Sequence, residues 1–324
     1  MFDTILVPLD GTRFAEAVLP AAVRLARRAR GRLHLLLAHQ PTAALVGMGE
    51  VAVHPGLDLA LQTQEQDYLA EVVARLDRMG AGPVGRRQLT APAGDAICEE
   101  ATRIGADLIV MATHGRSALG RLWLGSVSHH VIRHAGLPVL LVNPHRAHKV
   151  LEPRAGAGIL VALDLSAFSE AVLQPVQELA GLLEAHVTLF HVVEPNYHPV
   201  EPLVPYALEQ DATITEVRRA DAQRRLDDIA DRLRARGLGA SVRVVIGPSA
   251  AAGLLEALEG SKYDLVAMTT HGAGGMRRLF LGNVADKVIR SAGKPVLVLR
   301  LTPGATPREA VRDGAPGPAS RPIG

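Results

Sequence analysis

Aromatic residues are scarce in this chain: Phe, Trp and Tyr together make 3% of its 324 residues, against 48% apolar residues overall. With so few rings the core has to be filled by Ala, Val and Leu, which fits layers of sheet and helix. Cys98 is the only cysteine, so an intramolecular disulfide is excluded and a reducing compartment is compatible. A redox-sensor reading of Cys98 yields to that of a small, partly buried residue on a helix. No stretch of 18 apolar residues occurs, and the first residues run straight into a strand without a signal pattern. A membrane span is not expected, and the chain reads as soluble and cytoplasmic. Charge of one sign is missing too: 35 basic against 33 acidic side chains leave a net +2, which argues against nucleic acid as a partner.

What the chain does have is the same text twice. Residues 110–126 read VMATHGRSALGRLWLGS and residues 267–283 read AMTTHGAGGMRRLFLGN. Upstream, ILVPLD ending at Asp10 answers ILVALD ending at Asp164, and FAEAVL from Phe14 answers FSEAVL from Phe168. A period near half the chain means two copies of one domain, not a solenoid, whose repeats run to roughly 20–50 residues. Each copy alternates short Leu/Ile/Val runs, suited to strands buried on both faces, with amphipathic stretches. The spacing predicts strands at Thr4–Leu9 and Leu108–Ala112 and single helices over Phe14–Ala29 and Ser169–Leu183. Such alternation implies an α/β fold with a parallel sheet covered on both sides. The expected division is a first domain over 1–143, a linker over 144–156, a second domain over 157–301, and a disordered Pro/Gly/Ala/Arg tail over 302–324. The loops at 40–56 and 195–205 are long enough to be lids or binding elements.

After the fourth strand of the first copy come Ala112, then Gly115, then nine residues, then Gly125 and Ser126 before a helix. This reads as an anion site. Glycine lets backbone approach a phosphate, and the first amides of the helix point at it with the positive end of the dipole. Ser126 is expected to cap that helix and to offer its hydroxyl; Arg116 and Arg121 add positive charge.

The run ending VPLD at Asp10, MATHG at 111–115, LGSV at 124–127 and GLPVLLV at 136–142 closely resemble the universal stress protein family, in both copies. The resemblance implies, in each domain, a doubly wound five-stranded parallel sheet of order 3-2-1-4-5 with helices on both faces, and ATP, with or without Mg²⁺, between strands one and four. By position, Pro8, Leu9 and Asp10 would border the adenosine and Ala38 the adenine pocket. Met111, Ala112, His114 and Gly115 would border ribose and phosphates, and Gly125, Ser126 and Val127 would hold the phosphate chain. Ala112 departs from the family motif, which has Gly there. The second copy departs further: Ala162 replaces a Pro, Thr269 the first Gly and Asn283 the Ser/Thr. Its weaker set is Asp164, Val192, Met268, His271, Gly272, Gly282 and Asn283. The family commonly pairs fifth strands across a dimer, so an intramolecular pseudo-dimer is expected, with room for a further homodimer.

Other constellations are thinner. Gly120, Gly125 and Ser126 mimic a phosphate-loop spacing but lack its Lys. His129, His130 and His134 share one helix, with no carboxylate or Cys near them in sequence, and no metal site is expected. Asp10 and Asp164 have no second acid or His beside them in sequence, so binding or capping suits them better than catalysis, and no catalytic residue is assigned. The expectation is a tandem ATP-binding protein of stress response or signalling that works by conformation on an unknown protein partner. Its rivals are a nucleotide-free adaptor with vestigial sites and, behind it, a slow ATP hydrolase.

Overall fold

The computed structural model describes residues 2–41, 55–113, 124–144, 156–195, 205–259, 262–270 and 281–300. The tail, most of the linker and most of both long loops fall outside these. Each half lays down five strands. The first has β1 (Thr4–Leu9), β2 (Arg32–His39), β3 (Val84–Thr90), β4 (Leu108–Ala112) and β5 (Val139–Val142). The second has β6 (Gly158–Ala162), β7 (His186–Val193), β8 (Ala240–Ile246), β9 (Tyr263–Thr269) and β10 (Val296–Leu299). The order β3-β2-β1-β4-β5-β10-β9-β6-β7-β8 contains 3-2-1-4-5 in each half, and the halves join edge to edge in one ten-stranded sheet. All pairings within a half are parallel. At the seam β10 runs antiparallel to β5, with Leu297 opposite Leu140. These two short apolar strands cover one another's open edges, which would otherwise template aggregation.

Helices cover both faces. On one lie α1 (Arg13–Glu16), α2 (Leu19–Ala29) and α3 (Pro55–Arg78), with their counterparts α6 (Ala167–Glu170), α7 (Leu173–Leu183) and α8 (Pro205–Arg234). On the other lie α4 (Ala93–Arg103) and α5 (Ser126–His134), with α9 (Ala250–Leu258) and α10 (Asn283–Ser291). The aliphatic composition shows in the strands: β4 and β5 are buried at every position. The halves also touch through their helices, where Arg28 Nη1 donates to the Leu182 carbonyl at 2.5 Å.

Two single helices predicted from spacing are in fact pairs. Pro20 has no N–H to donate to Glu16, so the chain turns at Ala17–Val18 and restarts, Val18 accepting from Ala21 and Ala22. Pro175 imposes the same break after Glu170. Among the described residues no helix is long and apolar enough to cross a membrane.

Candidate functional site

The order 3-2-1-4-5 splits the chain's direction between β1 and β4, and the crevice beyond their C-terminal ends is where an open sheet takes ligands. Pro8 and Leu9 end β1, half-buried and buried, and Asp10 follows. Asp10 Oδ1 accepts from the Thr12 amide at 2.9 Å and from Thr12 Oγ1 at 2.6 Å, and Thr12 in turn caps α1 through the Ala15 amide. Asp164 repeats this with Ser166, at 3.0 and 2.5 Å. Both aspartates therefore shape the turn that rims the crevice. Ala38 is half-buried near the end of β2, while Met111 and Ala112 close β4 at 5% and 8% exposure.

The loop between β4 and α5 is stapled at its base. The Gly125 amide donates to the Thr113 carbonyl at 2.9 Å, and Ser128 Oγ reaches the Ala112 carbonyl at 3.0 Å. The second copy repeats the first of these staples, Gly282 to Thr270 at 2.9 Å, and has Ala285 where the first has Ser128. His114, Gly115, Arg116 and Arg121, and likewise His271 and Gly272, lie outside the described residues.

Ser126 was expected to cap α5 and does not. Gly125 has the extended backbone of a cap residue (φ −61°, ψ 150°), and its carbonyl accepts from the His129 amide at 2.9 Å. Ser126 is thus the first helical residue and is exposed, with Val127 half-buried behind it. Among the described residues no side chain caps α5. Asn283 likewise is no cap: Gly282 takes that position, and among the described residues α10 also has no side-chain cap. A Cβ built on Gly125 would sit 3.4 Å from the Thr113 oxygen, an ordinary contact. The fold itself makes no demand for glycine there.

In the second domain these elements enclose a cleft of about 940 Å³. Asp164, Val192, Met268, Gly282 and Asn283 all line it, as do Thr269 and, from α8, Val217, Arg218, Asp221 and Arg225. Sequence reading missed the helix wall and also Leu165, whose left-handed backbone (φ 66°) matches Gly11 (φ 81°) in the first copy. Arg225 Nη2 donates to the Leu165 carbonyl at 2.7 Å. A leucine where the first copy has glycine was a visible signal of asymmetry.

The long helices superpose in register, because Arg75 pairs with Glu16 as Arg232 pairs with Glu170. In the first domain Ala60, Leu61, Gln64 and Tyr68 therefore hold the positions of those four wall residues. Burial, with Glu16 and Asp10 nearby, pushes the Tyr68 hydroxyl well above its usual range, which puts this wall beside the β1 turn.

Two of the three histidines of α5 are engaged locally. His130 Nε2 lies 2.9 Å from Asp95 Oδ1, and His134 Nδ1 donates to the His130 carbonyl at 2.8 Å. Asp95 is a carboxylate partner brought in by α4 from 35 positions away, where sequence showed none. No group of three or more His, Cys, Asp or Glu among the described residues is arranged to hold a metal. Burial and Asp95 push the Cys98 thiol up to about 11, the opposite of what a reactive thiolate requires.

The Universal stress protein family profile matches residues 1–143 and again 158–300. A universal stress protein of Mycobacterium tuberculosis, Rv2005c, is 30% identical over 198 residues, which is 60% of this chain and 62% of that protein. The chain thus spans less than two thirds of the length of such relatives. A single-domain universal stress protein of Thermus aquaticus is 34% identical over 145 residues, 44% of this chain and all of that one. The crystal structure of a universal stress protein from Archaeoglobus fulgidus superposes with a TM-score of 0.67 at 18% identity, over 93% of this chain and 99% of its own, a likeness of fold.

Proposed function

This chain belongs to the universal stress protein family, and from that premise we propose that it binds ATP, chiefly in its first domain, as a ligand that biases its conformation. Binding, not turnover, is the proposed role, in stress response or signalling. A ligand of this kind acts only by having unequal affinity for two states.

The observation that carries the reading is the start of α5. A helix that no described side chain caps opens behind a glycine the fold does not require, with the Ser126 hydroxyl exposed and the loop base stapled to β4. Phosphate oxygens would take the first amides of α5, aided by the positive end of the helix dipole. Ser126 would donate to the same group. Met111 and Ala112 would form the floor under ribose, and Ala38 the wall against adenine. The second cleft has the volume but less of the chemistry: Asn283 replaces the hydroxyl, Thr269 lines the cleft, and Leu165 stands for Gly11.

Isothermal calorimetry with ATP tests this. Gly125→Val should abolish binding while the protein stays folded, since its φ of −61° suits any residue. Ser126→Ala, losing a hydrogen bond to a charged group of about 1.5–3 kcal/mol, should weaken affinity at least tenfold. Unchanged affinity in both variants refutes the assignment of the site.

A further inference from the structure

One polar cluster in the first domain, built around a buried histidine, is replaced in the second by mainly apolar residues. His39, at the end of β2, is 1% exposed. Its Nδ1 lies 2.9 Å from Glu65 Oε2 and its Nε2 lies 3.4 Å from Asp58 Oδ1, both carboxylates on α3. From β3, Gln88 Nε2 donates to the same Glu65 oxygen at 2.5 Å, and Gln88 Oε1 accepts from Gln66 at 3.0 Å. The cluster ties the N-terminal half of α3 to the ends of β2 and β3.

Strand and helix registers identify the same places in the second domain. His39 corresponds to Val193, Gln88 to Val244, Glu65 to Ala222 and Asp58 to Thr215. Val193, Ala222 and Thr215 are buried and Val244 packs against the core. The fold therefore closes here with mainly apolar side chains in one copy and with an ionisable network in the other. Polar pairs whose carboxylates stay 21% and 24% exposed, as Glu65 and Asp58 do, contribute little to stability, so stability alone does not account for the network. What the network does fix is geometry, because hydrogen bonds have direction and apolar contacts do not. The helix it fixes is the one whose next stripe, Leu61, Gln64 and Tyr68, holds the positions that wall the cleft in the second domain.

We propose that His39, with Glu65 and Gln88, is a positioning clasp that sets α3 over the first cleft and thereby sets that cleft's affinity for its ligand. The proposal rests on the ATP reading above for its ligand, though not for its geometry. The clasp touches no ligand; it acts through α3.

The test is to give the first domain the second domain's residues, as His39→Val with Glu65→Ala and Gln88→Val in the full chain. The melting temperature should stay close to the unaltered protein's, while the ATP dissociation constant rises at least fivefold. Amide exchange over residues 58–66 should quicken. His39→Asn alone retains a donor near the Nδ1 position and should stay within twofold of the unaltered protein, which a purely space-filling role for the ring would not produce. Binding by the triple variant within twofold of the unaltered protein overturns the proposal. If the unaltered protein binds no ATP, the nucleotide reading fails by itself, and exchange over 58–66 then decides: faster in the triple variant upholds the clasp, unchanged refutes it.

Discussion

Removing the carboxylate of Glu100 should cost the first domain far more than the apolar second domain's sequence would suggest. Glu100 is fully buried on α4, yet Arg87 Nη1 reaches it at 2.8 Å, Arg103 at 2.6 Å and 2.7 Å, and His34 Nε2 lies 2.7 Å away. Its counterpart on α9 is Ala257, with Thr188 in place of His34, and there Arg243 lies over the Phe190 ring at 5.7 Å. Breaking a buried ion cluster by deleting one member costs about 3–5 kcal/mol, because the partners keep their desolvation without compensation. Here Arg87 and Arg103 are 37% and 49% exposed and can turn toward water, so Glu100→Ala should cost nearer ~2–3 kcal/mol. Adding His34→Thr, the second domain's solution, should recover part of that, because the imidazole no longer needs a partner. Acid should act like the mutation. Burial raises the Glu100 carboxyl, but the hydrogen bond and charge of Arg103, with Arg87 and His34, outweigh it and hold the group below its usual range. A depressed carboxylate stabilises above its unfolded value of about 4.3 and loses that contribution as pH falls through the folded value. His34, lowered by burial, opposes its own protonation in the fold, so it works in the same direction below about pH 6.5. Urea titrations at pH 7 and pH 4 would measure both effects. A loss under 1 kcal/mol for Glu100→Ala at pH 7, or a loss of equal size at both pH values, would refute the reasoning.

Two further outcomes can be measured. ATP titration should give about one site per chain, and Thr269→Gly with Asn283→Ser should move the count toward two; a count of two in the unaltered protein would show that these substitutions were overrated. Cys98, with its thiol near 11 and half-buried, should react with iodoacetamide at pH 7.5 at least tenfold more slowly than free cysteine, since thiolate is the reacting form; an equal rate would count against that microenvironment.

The repeat made the sheet readable, because each apolar run had a twin to confirm it and parallel strands announce themselves as unbroken aliphatic text. The turn aspartates were legible for the same reason. Helix starts were not. Ser126 and Asn283 look like caps, but whether a residue caps depends on where the extended backbone ends, and the loop staples set that at Gly125 and Gly282. The breaks before α2 and α7 were written in Pro20 and Pro175, masked by apolar spacing that continues through them. Contacts across long separations, such as His130 with Asp95 or His39 with Glu65, leave no local pattern to find.

The antiparallel seam between β5 and β10 also separates the two crevices electrically. Because each lies beyond the C-terminal ends of its own strands, they open toward opposite ends of the sheet. The crevices, one between β1 and β4 and one between β9 and β6, lie four strand spacings apart, or about 19 Å sideways at ~4.8 Å each. The Debye length at physiological salt is only about 8 Å. Two polyanions held at once would therefore scarcely feel each other's charge. Any influence of one ligand on the other has to pass through the shared backbone ladder and the helix contact at Arg28 and Leu182, and it should persist in high salt.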